Sequence, residues 1–275
     1  MSSPRVLVIG EFHPDSFVRW IADGFVYAGC KVVRCGVHSP GPWPEDERPR
    51  IMDIPGYAPG RQVDVKVPLD LGAIRGHFAT ERNFTADLLF VDLWTGVSLT
   101  SAAGSGTVAL RHAGDIAYVR DGQGVRGTLL PGVDLYTFHD VGASRRPDET
   151  VVAPSSRIAT VPDVVVLPPT IGEQAAVLQR CDRAIVFSDA EIEFALKAIA
   201  CGVIVRTVGA DASWVAKEFG TAHYPDVEHL RASRHGGNDD TTLDYWRAAT
   251  RHTWRHRAIE VLSHFDLRPG PVPRL

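Results

Sequence analysis

Residues 181–230 read CDRAIVFSDAEIEFALKAIACGVIVRTVGADASWVAKEFGTAHYPDVEHL, and their alternation decides the fold class. Ala184 to Phe187 (AIVF) is a short continuous apolar run of the kind a buried strand needs. From Asp189 to Cys201 apolar residues recur at helical spacing, with Ile192, Leu196 and Ile199 forming one stripe. Val203 to Val205 (VIV) is again a strand, Ser213 to Phe219 a helix, Ala222 to Tyr224 an extended piece and Val227 to Arg231 a helix. Strands alternating with helices predict a parallel sheet with helices on its faces.

The same rhythm extends outward. Ile171 to Gln179 is predicted helical, and a last long helix is expected from about Thr241 to Phe265. At the other end, Val6 to Ile9 is a strand ending at Gly10. Phe17, Trp20, Ile21, Phe25 and Ala28 follow at helical spacing, and Lys31 to Gly36 is a second strand. The opening is thus a β-α-β unit whose loop, Glu11 to Asp15, lies at the carboxyl end of its first strand, where parallel sheets gather ligands. Leu88 to Val91 and Thr107 to Leu110 read as strands followed by Asp92 and by Arg111, His112 and Asp115. Leu135 to Phe138 reads as a further strand followed by His139 and Asp140, and Val164 to Leu167 closes this half. Ser39 to Pro68, rich in Pro, Gly and charge, is expected to be a long surface loop. Pro168 and Pro169 interrupt the alternation, so the expected division is 1–168 and 169–275.

With 275 residues, 44% apolar and 23% charged, the chain can bury two cores and has an ordinary globular composition. No run approaches the roughly 18 apolar residues of a membrane span, and no signal-peptide pattern follows Met1, so a cytoplasmic location is expected. The four cysteines lack C-x-x-C spacing and read as buried thiols rather than as metal ligands. A net charge of −4 argues against a surface built throughout for nucleic acid. Arg247, Arg251 and Arg255 nevertheless fall at i, i+4 and i+8 and would form a basic stripe on one helical face.

Residues 181–230 resemble the donor-binding lobe of two-lobed, GT-B-type glycosyltransferases, above all the spore-maturation-protein-like (CgeB-like) branch. Ser188, Glu191, Glu193, Ala198, Ala200, Cys201, Gly202, Gly209 and Glu218 stand in the matching order. The opening 32 residues from Arg5 are similar to the acceptor lobe of these enzymes. The closing helix with Tyr245, Trp246 and Trp254 stands where they carry a helix that crosses back to the first lobe. The resemblance implies two Rossmann-like lobes facing a cleft and a sugar drawn from a nucleotide donor such as a UDP-sugar, with no tightly bound cofactor. Two departures accompany it. Where the retaining enzymes carry an acidic pair, counting back from Ala200-Cys201-Gly202 finds Asp189 and Lys197. Only about 15 residues separate Pro168 from the next strand, so the second lobe is expected to be shortened.

Glycosyl transfer needs the diphosphate held, the ribose hydroxyls held and, for inversion, a base at the acceptor hydroxyl. The Gly209 to Ser213 loop before a helix offers backbone N–H groups to a diphosphate, and Arg206 or Arg157 a counter-charge. Glu191 can hold ribose hydroxyls, although Ser188 to Glu191 also fits a helix-capping box. The resemblance assigns the base to His13, oriented by Asp92. An imidazole accepts a proton near neutral pH, and a carboxylate on its other nitrogen fixes its tautomer. Glu11, His112, Asp115 and His139 are rival or auxiliary groups at neighbouring strand ends. No Asp-x-Asp cluster appears, so a metal-independent hexosyl- or pentosyltransferase is expected. The resemblance implies a hydroxyl acceptor, and because members of the spore-maturation-like branch occur in phages it includes modified bases in phage DNA, which the arginine stripe would suit. The competing expectation is a catalytically silent scaffold of the same fold. A nucleotide-binding oxidoreductase is disfavoured because no full G-x-G-x-x-G fingerprint occurs.

Overall fold

The structure is a computed structural model that describes residues 2–10, 12, 16–36, 71–92, 106–112, 115–120, 123–140, 146–153, 164–233 and 241–271. The expected loop Ser39 to Pro68 and the candidate residues Glu11, His13 and Arg157 lie outside these. The chain divides into two compact units, one of residues 1–130 and 254–275, the other of residues 131–253.

The first unit is built on a six-stranded sheet. Its strands are β1 (Arg5–Gly10), β2 (Lys31–Gly36), β3 (Leu88–Asp92), β4 (Val108–His112), β5 (Asp115–Arg120) and β6 (Gln123–Thr128), in the order β2-β1-β3-β4-β5-β6. β2, β1, β3 and β4 are mutually parallel, whereas β5 and β6 run antiparallel as a hairpin. Alternate residues of β1 and β3 supply both faces, which is why these strands read as unbroken apolar runs. Leu7, Ile9, Leu89 and Val91 pack with Leu71, Ile74 and Phe78 of helix α2 (Leu71–Glu81). Phe90 projects to the opposite face, where Phe17 and Phe25 of helix α1 (Phe17–Tyr27) lie against it. Ser16 caps α1 by accepting the Arg19 N–H at 3.2 Å.

The second unit carries an all-parallel sheet in the order β11-β10-β9-β7-β8. Its strands are β7 (Arg146–Val152), β8 (Val164–Val166), β9 (Cys181–Val186), β10 (Ile204–Val208) and β11 (Ala222–Tyr224). Its helices are α3 (Ile171–Arg180), α4 (Ile192–Ala200), α5 (Ser213–Phe219), α6 (Val227–Ala232) and α7 (Thr241–Arg251).

Three expectations change. The division falls at 130/131 rather than 168/169, because β7 and β8 hydrogen-bond into the sheet of β9. The strands for which too little room remained after Pro168 therefore stand upstream of it. Leu135–Phe138 is no strand: the Asp134 carboxylate accepts the N–H groups of Tyr136 and Thr137, at 3.3 and 3.1 Å, and folds residues 135–137 into a turn. The single closing helix is two, α7 and α8 (Trp254–Ser263). The break comes where Thr253 bridges to Val133, whose N–H reaches the His252 carbonyl at 2.9 Å. α8 belongs to the first unit and lies on α1, with the Trp254 ring edge-on to Phe17 at 4.8 Å. Among the described residues, no helix is long and apolar enough to cross a membrane.

Candidate functional site

Parallel pairing brings the carboxyl ends of β1, β3 and β4 to one edge of the first sheet, with Gly10 opposite Asp92 and Asp92 opposite Arg111. β5 begins at that edge, because His112 pairs with Asp115. Asp92, Arg111, His112 and Asp115 therefore share the rim at the carboxyl end of β1. Gly10 is required there: a Cβ would stand 2.6 Å from the Asp92 carbonyl oxygen and 2.9 Å from Val18.

Asp92 does not stand ready for an imidazole alone. Both its carboxylate oxygens accept from Arg111 Nη1, at 3.0 and 3.1 Å, and the two side chains are only 11% and 15% exposed. The Arg111 guanidinium lies 3.4 Å from the centre of the Phe17 ring, so a cation–π contact joins the strand ends to the first residue of α1. The sequence marks Arg111 only as a polar residue after a strand. Its function as the partner of Asp92 depends on the parallel register of β3 and β4, which no local pattern states. His139 is exposed and belongs to the second unit.

In the second unit the carboxyl edge is formed by the ends of β9, β10 and β11. Ser188 Oγ accepts the Ala190 N–H at 3.2 Å, and Glu191 Oε2 accepts the Phe187 N–H at 2.9 Å. Glu191 is buried, and the bonds of the two side chains go to Ala190 and Phe187 rather than to each other's N–H groups, so the reciprocal capping box is replaced by a shifted pair of local backbone contacts. Asp189 reaches across to α5 and accepts the N–H groups of Trp214 and Val215, at 3.2 and 2.9 Å. A carboxylate of the chain itself thus sits at the start of that helix, whose first residue, Ser213, is exposed. Gly209 has φ 83° and ψ 160°, a conformation reserved for glycine, and no atom lies within 4 Å of where its Cβ would be. The backbone at the end of β10 is therefore open to close approach. Arg206 lies two residues inside β10 and half-buried rather than at the strand's end, because the strand continues to Val208.

Lys197 is also committed. Its Nζ lies 3.0 Å from Gln174 Oε1 and 2.6 Å from Glu193 Oε1, and 5.2 Å from the centre of the Phe138 ring. This binds α4 to α3 and to the turn after Asp134. The expected arginine stripe does not form. Arg247 Nη1 donates to the Phe219 carbonyl at 2.6 Å and Arg255 Nε to the Tyr27 carbonyl at 3.2 Å, each closing the carboxyl end of a helix. Moreover, Arg247 and Arg251 belong to α7, whereas Arg255 belongs to α8 in the first unit.

No known family pattern matches the chain, and no curated protein matches it in sequence. Solved structures do share its fold. Sucrose-phosphate synthase from Thermosynechococcus elongatus superposes with a TM-score of 0.53 at 12% identity, over 96% of this chain and 98% of that one. A glycosyltransferase from Rickettsia africae ESF-5 gives 0.52 at 9% identity, over 97% and 98% of the two chains. At such identities the likeness is one of fold, and it extends over nearly the whole chain: two Rossmann-like units of the GT-B kind.

Proposed function

We propose that the chain is a metal-independent hexosyl- or pentosyltransferase that draws a sugar from a nucleotide donor, of the UDP-sugar kind, and moves it to a hydroxyl. The observation that carries this reading is the return of residues 254–275 to the first unit, the feature expected of the closing helix in two-lobed transferases. The chain-long likeness in fold to such proteins supports it further.

The donor binds at the carboxyl edge of the second sheet. Gly209 gives the diphosphate close access to the backbone N–H groups of Ala210 and Asp211, those of Ala212 and Ser213 being held by the Gly209 and Ala210 carbonyls, and the hydroxyls of Ser213 and Ser188 are the side-chain donors assigned to it. Asp189, by holding two N–H groups of α5, restricts the phosphate to this turn. The acceptor is handled by the first unit. His13, three residues beyond Gly10, takes the proton of the attacking hydroxyl as the nucleoside diphosphate leaves. Asp92, in register with Gly10 and held in place by Arg111, is the carboxylate that orients the imidazole. Exchanging His13 for Ala is expected to lower turnover by about 100-fold or more while leaving donor affinity unchanged.

A second reading, a silent scaffold, is favoured by the commitment of Asp189 and Lys197 to structural contacts. Isothermal titration with uridine, guanosine and thymidine diphosphates and their sugars separates the two. An enzyme gives saturable heat with at least one of them; a scaffold gives none with any.

A further inference from the structure

Strand β6 ends the first sheet, and all six of its residues, Gln123 to Thr128, are exposed. Among the described residues no strand pairs with its outer edge. An edge of this kind is a template for another strand. Its register with β5 states which groups it offers. Arg120 pairs with Gln123 across a two-residue connection, so this pair is of the hydrogen-bonded kind, and such pairs then alternate along the ladder. Gln123, Val125 and Gly127 therefore turn their backbone groups inward to β5, whereas Gly124, Arg126 and Thr128 turn theirs outward.

We propose that β6 pairs antiparallel with β6 of a second copy of this chain, about a twofold axis at Val125. A twofold perpendicular to the sheet keeps each face on its own side, so only residues of equal parity can stand opposite each other. Centring on Arg126 would oppose two like charges. Centring on Val125 places Gly124 opposite the partner's Arg126 and Arg126 opposite the partner's Gly124. These are the residues with outward N–H and C=O groups, and each arginine faces a residue without a side chain. Val125, 64% exposed in the single chain, then meets its own counterpart in the closely spaced, non-hydrogen-bonded position. This inference stands apart from the proposed transferase activity.

Analytical ultracentrifugation of the full chain tests it. A concentration-dependent doubling of the 30.0 kDa mass is expected. Arg126→Pro removes an outward N–H without touching the β5–β6 ladder and is expected to abolish the doubling with an unchanged circular dichroism spectrum. Val125→Lys, a surface exchange, is expected to do the same by repulsion at the axis. A monomer at every concentration, or a dimer that survives both exchanges, overturns the proposal.

Discussion

Burial decides the behaviour of the cysteines. Cys30 is pushed up to about 11, first by burial and then by the nearby charge of Asp87, and Cys35 to about 12 by burial. Both thiols are raised in the folded chain relative to an ordinary value of 9.0, so the stability they contribute is fully present below about pH 9 and is lost as the pH climbs through 11 to 12. The four thiols, all buried, are expected to react slowly with an aromatic disulfide reagent at pH 8 in native buffer and rapidly in urea. Fast native reaction of Cys30 or Cys35 would contradict this. That these residues are buried thiols was legible from their spacing alone. The pairing of Asp92 was not, because an ion pair between strand ends depends on which strands become neighbours. Glu191 shows the complementary case: the sequence offered both capping and ribose binding, and the 2.9 Å bond to the Phe187 N–H displays the local one.

Among the elements, those from Ile171 to Arg231 were read from sequence to within about three residues, because short apolar strands alternate there with helices of clear period, whereas β7 of the same unit, with Arg146, Asp148 and Glu149 in its first half, was not read as a strand. In the first unit α2, β5 and β6 were missed. α2 buries Leu71, Ile74 and Phe78 at a fair helical spacing, but Gly72 and Gly76 dilute the pattern with poor helix formers. The β5–β6 hairpin was announced by Asp121-Gly122 between two runs, a two-residue turn signal left unused. The pairing of α1 with α8 depends on one small residue: a Cβ on Gly24 would collide with the Trp254 carbonyl. Gly24→Ala is expected to destabilise the protein by about 1–3 kcal/mol in urea unfolding, through overpacking that outweighs the helix-propensity gain of alanine. An unchanged midpoint would show that the two helices separate at little cost.

At the scale of the whole molecule, the alternating pattern and the Pro168-Pro169 break suggested two units, and two exist, but the proline pair does not divide them. Prolines mark where a strand or helix stops, whereas a unit is defined by which strands hydrogen-bond together, and β7 and β8 join β9 from upstream. The second crossing, after Thr253, was visible only as the resemblance of the closing helix to one that returns, since nothing in its apolar period marks the break at residues 252–253. The central claim is that the second unit takes the nucleotide. A crystal of the full chain soaked with uridine diphosphate is predicted to show the diphosphate against Gly209 and the turn that follows it. Nucleotide bound instead at the Asp92 and Arg111 rim of the first unit, or absent from both edges at saturating concentration, would contradict the account.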